Sequence, residues 1–293
     1  MGELYHLLRL VRPSHWIKNV FVFAALLFSG RVTDLEAVKA SVEAFAAFCL
    51  ASGAVYAFND VLDRAEDARH PVKRLRPIPS GRVRPLTAIL LAIAMALGAV
   101  AIALPLGRDA LDVLLAYVGL MVLYGVFLRH AVILDVILLA IGFVLRAMMG
   151  GVVIHVEVSR WLILCTFSLC LFLGFAKRMC ERLTLADDVA EGRRVAAWYT
   201  RERLDHMMSV SAGVAIVTYI LYTVSPWTVD VLGHDRMWYT IPFVVYGLFR
   251  FYALAASGKW SGPVEILYRD RGMWFALVGY LVAVAFVLAR SHS

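Results

Sequence analysis

The sequence lacks the features that would indicate a zinc protein, a separate soluble domain or a chain with a cleavable signal peptide. Four cysteines occur among 293 residues, without a CxxC pair or a histidine-rich spacing. We therefore expect free thiols and no zinc site. The longest polar interval, about 177–206, is too short to form a domain of its own. No N-terminal cleavage signal is evident.

Hydrophobic residues are abundant instead. They make up 61% of the sequence, and apolar runs long enough to cross a membrane recur from end to end. We therefore predict an all-α, polytopic membrane protein that forms one domain over residues 1–293. The nine predicted spans are about 16–30, 37–58, 86–106, 110–128, 131–154, 160–176, 207–225, 237–256 and 272–290.

Basic residues predict the orientation of these spans. Of the 29 Lys and Arg residues, 21 lie at the N-terminus, counting Lys18 just inside the first span, or in the intervals after every second span, and six lie in the opposite intervals or at the span ends beside them. We therefore expect the loops at about 59–85 and 177–206 to face the cytoplasm from the inner (cytoplasmic) membrane. Residues 1–15 have the spacing of an amphipathic interfacial helix. Anionic lipid and an anionic substrate account for the net charge of +7, so no nucleic acid is expected as a partner.

An acidic motif stands at the end of the second predicted span. If the helix continues, Asn59, Asp60, Asp63 and Asp67 share one face with Tyr56. Carboxylate and amide oxygens are ligands that Mg²⁺ prefers, and a merely solvated face has no reason to seat such a cluster against the bilayer. The motif therefore predicts a site for Mg²⁺ and a diphosphate.

A basic stretch follows the acidic motif at once. Lys73, Arg74 and Arg76 lie between Pro71 and Pro77, which restrict the backbone around them. Cations beside a metal site can bind the phosphate oxygens that the metal leaves. The alternative is that they are loose anchors for lipid head groups.

The second long loop opens with Lys177, Arg178 and Glu181, which also share one helical face. The similarity to the first loop hints at a weak internal repeat, in which two charged span ends close over one cavity. Lys177 and Arg178 either bind a substrate phosphate or anchor the span to head groups.

Two further cations are candidates for phosphate binding. Arg146 lies deep in its predicted span, where a guanidinium costs about 2.5–3.5 kcal/mol to insert. It therefore needs either an acidic partner, for instance Asp135, or an anionic ligand. Lys18 is either a snorkelling anchor or a phosphate ligand.

The span number, the orientation and the motif Asn59-Asp60-x-x-Asp63-x-x-x-Asp67 together resemble the UbiA superfamily of intramembrane prenyltransferases. This resemblance implies a nine-helix bundle that uses Mg²⁺ to bind a diphosphate in a cytoplasm-facing cavity open to lipid. Within the superfamily, the sequence is more similar to the decaprenyl-phosphate phosphoribosyltransferases. The motifs that carry this similarity are Arg12-Pro13-x-x-Trp16-x-Lys18-Asn19, Tyr56-x-x-Asn59-Asp60-x-x-Asp63-x-x-x-Asp67-x-x-His70-Pro71-x-Lys73-Arg74-x-Arg76-Pro77, Lys177-Arg178-x-x-Glu181 and Pro263-x-Glu265 with Asp270-Arg271.

The second loop distinguishes the branches of the superfamily. Members that act on aromatic acceptors carry a second aspartate-rich DxxD motif after span 6. This chain has Lys177-Arg178-x-x-Glu181 there, although Asp187 and Asp188 follow shortly. A prenyl diphosphate calls for metal ligands from both loops, whereas a lipid monophosphate calls for cations. One acidic and one basic loop therefore fit one Mg²⁺-diphosphate and one further phosphate.

The resemblance implies transfer of 5-phosphoribose from 5-phosphoribosyl 1-diphosphate to a polyprenyl (decaprenyl-type) phosphate, with Mg²⁺ as cofactor and pyrophosphate as product. By motif position, Asn59 and Asp63 would bind Mg²⁺, and Asp60 and Asp67 would be further metal or ribose ligands. The implied catalytic residues are Asp60, Asp63, Asp67 and Lys73. The implied substrate-binding residues are Lys18, Tyr56, Lys73, Arg74, Arg76, Lys177, Arg178 and Glu181, with Arg146 for the lipid phosphate.

Two other functions stay open. A prenyltransferase acting on an aromatic acceptor would need Asp187 and Asp188 as metal ligands, and a non-enzymatic lipid carrier would leave the clustered acids without a purpose. The expected partners are the sugar donor, the polyprenyl phosphate and membrane lipid. A homo-oligomer is compatible with the sequence.

Overall fold

The regular secondary structure of the described residues is entirely helical, which confirms the all-α prediction. The structure, a computed structural model, describes residues 3–69, 73–128, 131–184, 198–232 and 235–289. The helices are α1 (Glu3–Val11), α2 (Ala24–Phe28), α3 (Leu35–Leu62), α4 (Arg64–Arg69), α5 (Pro85–Ala103), α6 (Arg108–Leu123), α7 (Leu134–Val153), α8 (Arg160–Thr184), α9 (Arg201–Thr223), α10 (Pro226–Leu232), α11 (Ile241–Ala256), α12 (Pro263–Arg269) and α13 (Arg271–Ala289).

Seven described helices are long and apolar enough to cross a membrane, and α12 with α13 would make an eighth span with a bend of 81°. These helices correspond to the predicted spans from 37–58 onward. The first predicted span, 16–30, contains a 3₁₀-helix over Pro13–Phe23 and the short helix α2. The count of nine spans therefore stays a prediction.

Local chemistry explains where several helices begin. The side chain of Asp34 caps α3 by accepting hydrogen bonds from the backbone N–H groups of Glu36 and Ala37, at 3.1 and 3.2 Å. Arg31 donates to the same carboxylate and lowers the pKa of Asp34, which keeps the cap negative at the helix N-terminus. Gly107, between α5 and α6, has φ of 109°, a conformation that glycine adopts at little cost.

The chain divides into two compact units, described here in turn. The first comprises residues 1–129 and 145–157, and in it α3 packs along α5 and contacts α1 and α6. Leu10 of α1 is fully buried in a cluster with Ala57 and Val61 of α3, whereas Tyr5 and Leu8 are about half exposed. Helix α1 therefore has a buried side and a more exposed side, and its position at the membrane interface stays a prediction.

The second unit comprises residues 130–144 and 158–293. Helix α8 packs along α9, and both contact α11. Their shared core includes Phe172, Met179, Met208 and Phe251, all with less than a tenth of their surface exposed. The prediction of one domain over residues 1–293 stays a prediction.

Candidate functional site

The acidic motif lies where α3 ends and α4 begins. Asp63 is the residue between the two helices, in a near-helical conformation with φ of −82°. Backbone hydrogen bonds from Asp63 N to Asn59 O and from Asp67 N to Asp63 O, at 2.9 and 2.8 Å, continue the helical register across the break. The four-residue spacing predicted for these side chains is thus retained.

Two acids of the motif are buried and bound by cations. Asp60 and Asp67 have only 3% and 2% of their surface exposed. Arg76 contacts both, at 3.2 Å from Asp60 Oδ1 and 2.6 Å from Asp67 Oδ2. Arg12 Nη2 lies 2.5 Å from Asp60 Oδ1, and Lys73 Nζ lies 3.8 Å from Asp67 Oδ1. The basic stretch after the motif is therefore tied to it by ion pairs.

These ion pairs change the interpretation of Arg76. A buried carboxylate is stable when it is paired and hydrogen-bonded, and Arg76 supplies such a partner to two of them at once. Arg76 therefore belongs to the interior of the motif and is not a loose head-group anchor. Arg74 is exposed and is the most accessible cation of the stretch, whereas the side chains of Lys73 and Arg76 are similarly buried, with 30% and 27% exposed.

Asn59 and Asp63 lie on the more accessible side of the motif, since both are only partly buried. The Oδ1 atom of Asn59 is itself buried and has no hydrogen-bond partner among the described residues. A buried carbonyl oxygen of this kind is unfavourable unless a donor or a cation approaches it. The pair of oxygen donors fits a hard cation such as Mg²⁺.

The ligand count is also compatible with Mg²⁺. No group of three or more His, Cys, Asp or Glu suited to a metal ion occurs within the described part of the chain. Mg²⁺ does not require one, because it is usually bound by one or two carboxylates together with water and substrate phosphates.

Arg12 connects the N-terminal segment to the motif, and it is absent from the predicted site residues. Its backbone is left-handed, with φ of 52°, which is uncommon outside glycine. The guanidinium lies 5.1 Å from the centre of the Tyr56 ring, and His15 contacts the same ring edge-to-face. The signal that could have revealed Arg12 is its position at the start of the Arg12-Pro13 motif, which also contains the partly buried Lys18.

Arg146 is buried, with 5% of its surface exposed, and two hydrogen bonds orient it. Its Nε donates to Asn19 Oδ1 at 2.7 Å, and its Nη2 donates to the Tyr117 hydroxyl at 2.8 Å. The guanidinium also lies 4.6 Å from the centre of the Tyr117 ring. Asn19 in turn is held by Ser52, at 3.3 Å. Asn19 lies in the N-terminal motif, whereas no sequence signal pointed to Tyr117.

The residues that open the second long loop interact with one another at the end of α8. Arg178 donates to Glu181 Oε2 at 2.9 Å, and Lys177 Nζ lies 3.5 Å from Glu181 Oε1. The predicted shared face is therefore present. Arg178 also donates to Asp135 Oδ2 at 2.7 Å, and Asp135 is fully buried. Lys177 is the more exposed of the two cations.

Tyr199 completes the polar cluster around Asp135. Its hydroxyl donates to Asp135 Oδ1 at 2.7 Å and accepts from the backbone N–H of Ile133 at 2.8 Å. Burial raises the pKa of Tyr199, so its hydroxyl stays protonated and keeps donating. Asp135, which the sequence offered as a partner for Arg146, thus binds Arg178 and Tyr199.

Comparison with known proteins identifies the family. A model of the UbiA prenyltransferase family matches residues 19–263. The chain belongs to the UbiA prenyltransferase family. Its apolar helices and its membership of this family make it an integral membrane protein.

Relatives of this UbiA-family chain match it over nearly its whole length. It is 34% identical to the decaprenyl-phosphate phosphoribosyltransferase of Mycolicibacterium smegmatis, over 94% of this chain and 90% of the relative. It is 31% identical to the protein of that name from Mycobacterium tuberculosis, over 93% of each. Among solved structures, a UbiA homolog from Archaeoglobus fulgidus bound to GPP and Mg²⁺ matches with a TM-score of 0.72 and 17% identity, over 98% of each chain. This likeness confirms the UbiA fold.

The structure brings the predicted site residues of this UbiA-family chain together in two groups. The first unit holds Asn59, Asp60, Asp63, Asp67, Lys73, Arg76 and, in a separate polar cluster, Arg146. The second unit holds Lys177, Arg178 and Glu181. Pro71, Asp187 and Asp188 lie outside the described residues. A single cavity shared by both loops stays a prediction.

Proposed function

We propose that this UbiA-family protein is a polyprenyl-phosphate phosphoribosyltransferase. It transfers 5-phosphoribose from 5-phosphoribosyl 1-diphosphate to a decaprenyl-type phosphate and releases pyrophosphate. The observation that carries the proposal is the 34% identity, over nine tenths of both chains, to a relative with the corresponding name. The oxygen donors of Asn59 and Asp63, with cations of the same motif nearby, support it.

Asn59 and Asp63 would hold Mg²⁺ in this proposal, because these two residues of the motif are only partly buried and the Oδ1 atom of Asn59 lacks a donor among the described residues. Bound there, Mg²⁺ would neutralise charge on the donor's diphosphate and on the pyrophosphate that leaves. Asp60 and Asp67 hold Arg12, Arg76 and Lys73 in place. A direct role for these two acids as metal or ribose ligands stays a prediction.

Cations of the same motif would bind the donor's phosphates. Lys73 and Arg74 are accessible, and Lys18 is partly exposed on the neighbouring 3₁₀-helix. An ion pair with Asp67 restricts Lys73, which reduces the side-chain entropy that Lys73 loses when it binds a ligand. Lys177 and Arg178 are proposed as further phosphate ligands, with Glu181 orienting both.

The transfer step requires no general base. An anionic oxygen of the lipid phosphate attacks C1 of the ribose, and the bond from C1 to the diphosphate oxygen breaks with its electron pair. Because the nucleophile is already ionised, the protein's task is to align two anions that repel each other. Arg146 would bind the lipid phosphate, since it is a buried cation whose guanidinium is oriented by hydrogen bonds to Asn19 and Tyr117.

Transfer of a prenyl group to an aromatic acceptor is the second candidate function. It is favoured by the fold match to a UbiA homolog bound to GPP and Mg²⁺. The described beginning of the second loop carries two cations and one acid, which suits an anionic acceptor better than a second metal site. A non-enzymatic lipid carrier would have no use for Asn59 and Asp63 as a pair of metal ligands.

A transfer assay with purified protein tests the proposal. The protein in detergent receives Mg²⁺, ribose-labelled 5-phosphoribosyl 1-diphosphate and decaprenyl phosphate, and label is counted in the organic phase. We expect labelled lipid that depends on both Mg²⁺ and the acceptor. Absence of labelled lipid, with turnover of a prenyl diphosphate and an aromatic acid by the same preparation, would establish the second candidate instead.

The site is further proposed to face the cytoplasm from the inner (cytoplasmic) membrane, on the strength of the basic-residue asymmetry. We predict that cysteine introduced at Arg74 is labelled by a membrane-impermeant maleimide only after cells are opened. Cysteine at Arg108, which is equally exposed in the same unit but lies on the opposite predicted side, should be labelled in intact cells. The unsubstituted protein, with its four native cysteines, measures background labelling. The reverse pattern would contradict the proposed orientation.

A further inference from the structure

A π-helical turn stands directly beside the proposed metal ligand Asn59. Helix α6 ends at Leu123, and residues Tyr124–Leu128 form a π-helix. Turns of this type are rare and occur mostly as single insertions, frequently at functional sites. Gly125 lies within this turn and is buried.

The side chain of Asn59 occupies the space next to Gly125. A Cβ atom added to Gly125 would lie 2.3 Å from Asn59 Oδ1, 3.1 Å from its Cγ and 3.3 Å from its Nδ2. All three distances are too short for an undisturbed contact. The carboxamide of Asn59 therefore sits where a side chain at position 125 would be.

Two other glycines of the first unit have different surroundings. A Cβ at Gly119, also on α6, would have no neighbour within 4 Å. A Cβ at Gly150 would lie 1.9 Å from the backbone oxygen of Val22, which cannot move without shifting the 3₁₀-helix. At Gly125 the obstacle is the end of a rotatable side chain. The fold can therefore accept a methyl group there by rotating Asn59.

We infer that Gly125 is a positioning residue for Asn59: its missing side chain leaves the room in which the Asn59 carboxamide is held for the metal. This inference rests on the proposed function, in which Asn59 and Asp63 hold Mg²⁺. A methyl group at position 125 displaces the carboxamide and so separates the two ligands of the pair. Residues that orient ligands in this way affect metal affinity without touching the ion.

The expected signature of Gly125→Ala is a weaker metal site in a protein that is at least as stable. Alanine favours helix over glycine, so the substitution by itself does not destabilise the turn. Loss of a group that orients a metal ligand typically costs about 10- to 100-fold in affinity. Metal affinity should fall by this factor, and the metal-free Tm should stay equal or rise.

Direct Mn²⁺ binding, followed by the loss of the free-ion EPR signal, tests this in the full chain in detergent. Mn²⁺ alone is the probe, and the apparent Mg²⁺ requirement of transfer is the second readout. We expect Gly125→Ala to raise the Kd for Mn²⁺ about 10- to 100-fold, and Gly119→Ala to leave it unchanged. In an Asn59→Ala background, adding Gly125→Ala should have no further effect, because the displaced group is gone.

The outcomes separate the inference from the proposed function. A Gly125→Ala protein with wild-type Mn²⁺ affinity and wild-type Mg²⁺ requirement overturns the role of Gly125, while its transfer activity upholds the proposed function. The role of Gly125 is also overturned if Gly125→Ala lowers the Mn²⁺ affinity by the same factor in the Asn59→Ala background, because the effect would then not depend on the Asn59 side chain. A wild-type protein that transfers phosphoribose but binds no metal overturns the metal site and the role of Gly125 together.

Discussion

Replacing Asp63 with Asn should lower kcat for phosphoribosyl transfer at least about 100-fold, because loss of one charge-stabilising group has effects of this size. Asp63 is partly exposed and lies between α3 and α4, where its backbone hydrogen bond to Asn59 does not depend on the side chain. The substitution removes a negatively charged ligand but keeps the size and shape of the side chain. Initial rates over a range of Mg²⁺ concentrations, with Tm in detergent, measure both effects.

The matched control for Asp63→Asn is Glu66→Gln, which removes an exposed acid from the adjacent helix α4. Glu66→Gln should retain wild-type kcat and Mg²⁺ dependence, since charge on the solvent face contributes little. A nearly wild-type kcat for Asp63→Asn at saturating Mg²⁺ would rule out Asp63 as the metal ligand.

Asp60 provides the contrast within the same motif. Asp60→Ala removes the carboxylate that pairs with Arg12 and one of the two carboxylates that pair with Arg76. Removing one partner of a fully buried ion pair costs on the order of 3–5 kcal/mol. The loss here should be smaller, because the side chains of Arg12 and Arg76 are 24% and 27% exposed and Arg76 keeps Asp67, but this variant should still lose thermal stability without metal. An inactive Asp60→Ala protein with wild-type Tm would instead support the direct role in metal or ribose binding that the sequence predicts.

The second large effect is expected at Arg146. Arg146→Ala should raise the KM for polyprenyl phosphate about 10- to 100-fold, because a charge-assisted hydrogen bond contributes roughly 1.5–3 kcal/mol. The KM for 5-phosphoribosyl 1-diphosphate should change much less. Steady-state kinetics with each substrate varied in turn, at saturating concentrations of the other, separate the two constants.

Tyr117→Phe is the control for a purely structural role of Arg146. It removes the hydroxyl that orients the guanidinium but keeps the ring against which it lies. If Arg146 binds the lipid phosphate, Tyr117→Phe should raise the same KM by a smaller factor. Equal increases in both KM values for Arg146→Ala, together with a lower Tm, would show that Arg146 only supports packing.

Hydrophobic run length was sufficient to place most helices. Eight predicted spans coincide with described helices because a membrane-crossing segment has both a minimum length and an apolar composition. The region 16–30 is different, since it carries Lys18 and the buried Asn19 and adopts a 3₁₀-helix in its first part. Hydropathy depends only on composition, so it cannot predict that a polar residue such as Asn19 will be buried with hydrogen-bond partners.

The helical spacing of the sequence predicted where the acidic motif lies, but it did not predict which cations pair with its acids. Helical spacing alone does not distinguish Asp60 from Asp63, yet the fold buries Asp60 beside Arg12 and Arg76 and leaves Asp63 partly exposed. Arg12 is separated from Asp60 by most of α3 and the segment before it, so no local pattern connects them. The hydrogen bond from Tyr199 to Asp135 could not be predicted for the same reason, because the two residues are far apart in the sequence.

The most direct test of the central claim is the identity and ratio of the two products. Phosphorus NMR of a reaction containing purified protein, Mg²⁺, 5-phosphoribosyl 1-diphosphate and decaprenyl phosphate follows pyrophosphate and the lipid phosphodiester together. Phosphoribosyl transfer predicts that both form in equal amounts and that neither forms when the metal is chelated. Pyrophosphate without phosphodiester would show hydrolysis of the donor, and an unchanged donor would contradict the proposed function outright.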